Sequence, residues 1–97
     1  MSKGQTDALF RNALEHHRSG RLDDARAGYE SLLKLDPKHA DALHHLGVVF
    51  LQTGDFRKAV DLISKSLDRA PRQPVALSNL AYALVKLGQH RKAVHAC

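Results

Sequence analysis

The chain has 97 residues, 43% of them hydrophobic and 26% charged, with a net charge of +5 and a single cysteine. That is one small domain with a Leu, Val and Ala core, since tryptophan is absent and aromatics are few. It excludes an internal disulfide, a membrane-spanning helix of roughly 18 apolar residues and a signal peptide, so a cytoplasmic protein is expected.

Residues 1–5 are expected to be a disordered tail. From residue 6 a helical stripe runs through Leu9 and Ala13 to Gly20, and a second runs through Leu22, Ala25, Tyr29 and Leu32 to Pro37. The stretch 40–54 repeats the first pattern, with Ala42, Leu43, Leu46, Val49 and Phe50 at helical spacing before Thr53-Gly54. Asp55 is placed as an N-cap for the next helix, whose stripe is Phe56, Ala59, Val60, Ile63 and Leu67. Pro71 lacks an amide hydrogen and restricts Ala70, so that helix must end there. The last third reads as a helix over Leu77, Leu80, Ala81 and Leu84, a turn at Gly88, and the opening of a further helix through Ala93 and Val94.

These elements repeat. Gly20, Gly54 and Gly88 are 34 apart, as are Leu9, Leu43 and Leu77, and Ala25, Ala59 and Ala93. Sliding the chain by 34 matches seven of 34 positions between residues 6–39 and 40–73, and eight of 24 between 40–63 and 74–97. Composition alone would supply about two per window, so the period is real. The units are 6–39, 40–73 and an unfinished 74–97. Small residues at Ala13, Gly47 and Ala81, facing Ala25, Ala59 and Ala93, are expected where paired helices cross closely.

This period resembles the tetratricopeptide repeat, with its W-x2-L-G-x2-Y, A-x3-F and P positions. The middle unit has Leu43-x2-Leu46-Gly47-x2-Phe50, Ala59-x3-Ile63 and Pro71; the third has Leu77-x2-Leu80-Ala81-x2-Leu84 and Ala93-x3-Cys97. The first departs most, with Asn12 and His16 at apolar positions. The resemblance implies an all-α solenoid of antiparallel helix pairs, about two and a half repeats long, that binds proteins through the concave surface lined by the first helix of each repeat. Carried across, that surface is Asp7, Phe10, Arg11, Leu14, His17 and Arg18 in the first unit. In the second it is Asp41, His44, His45, Val48, Leu51 and Gln52, and in the third Val75, Ser78, Asn79, Tyr82, Val85 and Lys86. Phe10, Leu14, Val48, Leu51 and Tyr82 have no core role in this reading, which makes them contacts for an extended peptide or helix.

The subfamily that clamps the carboxylate tails of heat-shock chaperones uses Lys, Arg and Asn where this chain has Phe10, Leu14, His45, Val75 and Asn79, so such tails are not expected partners. The stretch 77–89 is instead similar to repeats of O-linked N-acetylglucosamine transferase, whose asparagine ladder Asn79 fits and Arg11 and His45 do not. Residues 35–55 also resemble arrays fused to bacterial glycosyltransferases, so the chain as the repeat portion of such a protein is an alternative.

A second expectation concerns the unfinished unit. With only about two turns of partner helix after Gly88, apolar surface at Leu77, Leu80 and Leu84 is left uncovered, and with Val94 and Cys97 it forms an edge for self-association. No phosphate-cradling glycine loop, nucleophile elbow, metalloprotease helix or paired-cysteine signature is present, so no catalysis and no cofactor are expected. The seven histidines read as scattered over the surface, because adjacent pairs diverge by about 100° around a helix and share no metal. All of the excess positive charge lies in residues 69–97, as Arg69, Arg72, Lys86, Arg91 and Lys92 with no acid. Without interleaved aromatics this reads as a solvated face, and nucleic acid is not an expected partner.

Overall fold

The computed structural model describes residues 3–96, with side chains described for residues 3–90. It holds five helices: α1 (Lys3–Arg18), α2 (Leu22–Leu35), α3 (Ala40–Thr53), α4 (Phe56–Arg69) and α5 (Pro74–Ala96). Among the described residues there is no strand. Successive helices pack side by side into an elongated array of 49 × 28 × 20 Å. The all-α solenoid expected from the period is the observed fold.

The first two hairpins close in the same way. At Gly20 and Gly54 φ is +79° and +88°, a left-handed conformation that costs glycine little. The residue after each glycine returns a backbone bond to the helix: Arg21 N–H to His16 O at 2.9 Å, and Asp55 N–H to Phe50 O at 2.9 Å. Asp55 then caps α4, its Oδ1 accepting from Lys58 N–H at 3.2 Å. Before α3, the His39 Nδ1 accepts from Ala42 N–H at 3.1 Å and serves as the cap. The α4–α5 connection is held by Gln73, whose Nε2 donates to Ala70 O at 2.6 Å and to Ser66 Oγ at 3.1 Å. The fully buried Ser66 hydroxyl in turn donates to Ala40 O at 2.7 Å, tying α4 to the start of α3.

One continuous core runs from Ala13, through Ala25, Tyr29, Leu46, Val49, Phe50, Ala59 and Ile63, to Ala76 and Ala83. The helix crossings are close because small residues sit at them. A methyl group on Gly47 would lie 2.6 Å from Ile63 Cγ1, and one on Gly28 would lie 2.8 Å from Ala13 Cβ. Neither neighbour is the free end of a long side chain, so both contacts need glycine.

Three expectations are corrected here. Residues 3–5 are not a disordered tail: α1 begins at Lys3, and Thr6 is buried with its hydroxyl donating to Lys3 O at 2.9 Å. The turn at Gly88 does not form, and α5 runs straight through it. Continuing a helix adds one backbone bond per residue. Reversing it is worthwhile only where the returning segment buries enough apolar surface. Finally, Ala81 is exposed, and the small residues buried on α5 are Ala76 and Ala83. Residues 76, 80, 83 and 87 share the helix face turned to the core, whereas Ala81 lies on the face that a returning helix would have covered.

Candidate functional site

The odd-numbered helices α1, α3 and α5 stand next to one another on one side of the array and share side-chain contacts. Phe10 of α1 meets His45 of α3 edge to face, with ring centroids 5.3 Å apart. His17 of α1 reaches Gln52 of α3, Nε2 to Oε1, at 2.7 Å. His44 of α3 reaches Asn79 of α5, Nε2 to Nδ2, at 3.0 Å. All three pairs are 35 residues apart, one more than the sequence period. Each odd-numbered helix therefore meets the next one position further along its face.

His45 is the hub of this surface. Its ring lies within 6.3 Å of those of Phe10, His17, Tyr29 and His44, and its Nδ1–H donates to the carbonyl of Asp41 at 2.8 Å. Phe10 also stacks near Tyr29 and His39, at 6.1 and 5.7 Å. Tyr29 is fully buried, and its hydroxyl is 3.1 Å from His17 Nδ1. Three histidines, His17, His39 and His45, are thus gathered around the rings of Phe10 and Tyr29, with His44 against His45, which corrects the reading of them as scattered over the surface. Crowding by these rings takes His44 and His45 partly out of water, which disfavours a charged imidazole.

Electrostatics agree. Burial holds the pKa of His44 and of His45 below the ordinary histidine value. At His44 the neighbouring His45 adds to this, and Asp41 opposes it. At His45 the bond to the Asp41 carbonyl opposes burial, while His17 and Arg18 reinforce it. Burial raises the Tyr29 phenol to about 12, against a smaller opposing effect of Arg18. His44 and His45 are therefore neutral at pH 7, beside the uncharged carboxamides of Gln52 and Asn79. No group of three or more His, Cys, Asp or Glu among the described residues is placed to hold a metal ion.

The expected groove residues divide. His17, His44, His45 and Asn79 are brought together as described. Leu14 and Val48 are half-buried, and Arg11 is exposed. Phe10 and Leu51, expected to have no core role, pack against the core. Phe10 is long enough to reach Tyr29 on α2, so α1 contributes it to both surfaces. Tyr82 is 52% exposed with the Lys86 ammonium 5.5 Å above its ring, and Val75 and Val85 are exposed beside it on α5. On the other edge of α5, Leu77 and Leu84 are about half exposed, but Leu80 packs on the core, which removes it from that edge. The Val94 side chain and Cys97, the rest of the expected edge, lie outside the described residues.

Sequence reasoning missed His39 and Tyr29 as parts of this site. Tyr29 was accounted for by the core stripe, and His39 was given no role. The signal that would have found the pairs is the period plus one, which links residues 10 to 45, 17 to 52 and 44 to 79.

Known proteins match this chain along nearly its whole length. The tetratricopeptide repeat pattern matches residues 10–74 and again residues 74–94. The chain belongs to the tetratricopeptide repeat family. Repeats of this family are protein-interaction elements. Among curated relatives, the photosystem I assembly protein Ycf3 of Prochlorococcus marinus is 29% identical over 88 residues, covering 88% of this chain and 51% of that protein. The Arabidopsis thaliana protein CTR9 homolog is 35% identical over 77 residues, covering 76% of this chain and 7% of its own length. The chain therefore spans about half the length of Ycf3 and a small part of the other. Among solved structures, a Thermobaculum terrenum O-GlcNAc transferase superposes with a TM-score of 0.84 at 25% identity, over 88% of this chain and 17% of that one. MamA protein superposes at 0.80 with 21% identity, over 93% and 49%, a likeness of fold alone. The described residues of this repeat array contain no helix long and apolar enough to cross a membrane.

Proposed function

We propose that this repeat array is a non-catalytic cytoplasmic binding module that receives an extended peptide or a helix across α1, α3 and α5. The observation that carries this reading is the inner face itself. The imidazoles of His17, His44 and His45 and the carboxamides of Gln52 and Asn79 adjoin the exposed Val75, Tyr82 and Val85 of α5, which have no partner in the core. Apolar contact area beside a few fixed polar groups is what a peptide groove supplies. The likeness to a protein named for photosystem I assembly supports an assembly form of this role, in which one protein is held for another.

The test is capture of partners from lysate by the intact chain and by Tyr82→Asp and Val85→Asp variants. A groove partner is lost from both variants while their helicity is unchanged. A partner that still binds both variants sinks this reading.

Self-association is the second reading, favoured by Leu77 and Leu84 at 52% and 50% exposure on the outer edge of α5. A Leu84→Asp variant separates the two readings, because it spares the groove and removes association. A monomeric mass for the intact chain at high micromolar concentration by light scattering rules association out. A third reading, the chain as the repeat portion of a larger glycosyltransferase-like protein, rests on the 17% of the O-GlcNAc transferase that it covers.

A further inference from the structure

The two imidazole–carboxamide contacts of the inner face run in opposite senses. Gln52 offers His17 its Oε1, an atom that can only accept, so His17 Nε2 carries a proton. In the neutral ring Nδ1 is then bare and accepts from the Tyr29 hydroxyl. Asn79 offers His44 its Nδ2, which can only donate, so His44 Nε2 is the bare nitrogen and its proton sits on Nδ1. Gln52 is left with its two N–H donors, and Asn79 with its carbonyl oxygen and one N–H.

A second proton affects the two sites differently. On His17 it enters at Nδ1, where the Tyr29 hydroxyl turns from donor to acceptor, and Gln52 is untouched. On His44 the only vacant position is Nε2, which sets donor against donor. The contact is kept only if the Asn79 amide turns over, giving Oδ1 to the ring and presenting its amine where the carbonyl had been.

We infer that His44 is a proton-operated positioning residue: neutral, it keeps the Asn79 carbonyl oxygen available to an occupant of the groove, and protonated, it withdraws that oxygen while Gln52 stays in place. The inference rests on the groove reading above. An extended peptide, which brings main-chain N–H donors, is the occupant that loses most by the reversal. The groups acting on His44 are Asp41 and His45 of its own helix, and α5 brings the uncharged Asn79. His17 and Arg18 of α1 act on His45, against which α2 places the neutral Tyr29.

The experiment is a pH titration of the isotope-labelled whole chain by NMR, with no partner added. His44 is expected as the Nδ1–H tautomer and His17 as the Nε2–H tautomer. As pH falls, the Asn79 side-chain amide signals shift with the His44 midpoint, and those of Gln52 do not follow it. A His44 ring protonated on Nε2 at neutral pH, or Asn79 signals unmoved through its midpoint, overturns the inference. Two variants sharpen the result. His44→Gln keeps an acceptor that does not titrate, so the Asn79 response disappears. Asn79→Asp places a carboxylate on the ring and raises the His44 midpoint; an unchanged midpoint counts against the contact. Because the titration is made on the free chain, a groove that binds nothing leaves its answer intact, and the two readings fail separately.

Discussion

The first four helices and α5 share one sequence pattern and differ in what they do with it. In α1–α2 and α3–α4 the chain reverses at a left-handed glycine, and the second helix lays its stripe on the first. At Gly88, in the same place in the period, the chain stays helical. A glycine therefore permits a reversal without causing one. The returning segment must bury enough apolar surface to offset the ordering of the turn, and α2 and α4 do so through Ala25, Tyr29, Leu32, Ala59 and Ile63. Where that burial is missing, a continuous helix is the lower state, and its apolar residues stay in water. All five of the large hydrophobic residues exposed among the described ones, Val75, Leu77, Tyr82, Leu84 and Val85, belong to α5.

The sharpest way to break this comparison is to delete equal chemistry from each region. Ile63 is fully buried between α3 and α4, and Ile63→Ala is expected to cost about 2–5 kcal/mol in urea unfolding. Leu84 is half exposed, and Leu84→Ala is expected to cost less than about 1 kcal/mol. Comparable losses would show that the outer edge of α5 is covered in solution.

The glycines give a smaller effect of opposite sign. Gly54→Ala forces an alanine into a left-handed backbone and should destabilise by about 1 kcal/mol or more. Gly88→Ala, in mid-helix with nothing within 4 Å of the added methyl, should stabilise by up to about 1 kcal/mol. Destabilisation by Gly88→Ala would mean that the third turn forms after all.

The smallest effect is in the pH dependence of stability. His44 and His45 bind protons less readily folded than unfolded, so the unfolded chain holds more protons as pH falls below about 6.5. Stability should be level above that pH and decline from there towards the lower folded values. A midpoint of urea unfolding that does not fall between pH 7 and pH 5, or falls equally in a His44→Gln/His45→Gln double variant, would sink the assignment of that decline to these rings.

Much of this was legible from residues alone because it rests on local chemistry. Gly20 and Gly54 mark reversals, Asp55 caps α4, and Pro71 follows the end of α4 at Arg69. The family pattern pointed to His17, His44, His45 and Asn79 as residues of one shared surface, and they do lie together on α1, α3 and α5. Their mutual contacts were not legible. A period of 34 aligns like with like, but the helices are staggered, so His17 meets Gln52 and His44 meets Asn79 at 35. Sequence by itself determined the repeat, the ends of α1 to α4 that depend on glycine, proline and caps, and the faces that α2, α3 and α4 turn inward. Only tertiary structure decided that α5 continues through Gly88, that Phe10 and Leu51 join the core, and that His17, His39 and His45 surround Phe10 and Tyr29. The reason is that periodicity encodes direction around a helix axis, whereas register between helices and the choice to fold back depend on surface buried between segments far apart in the chain.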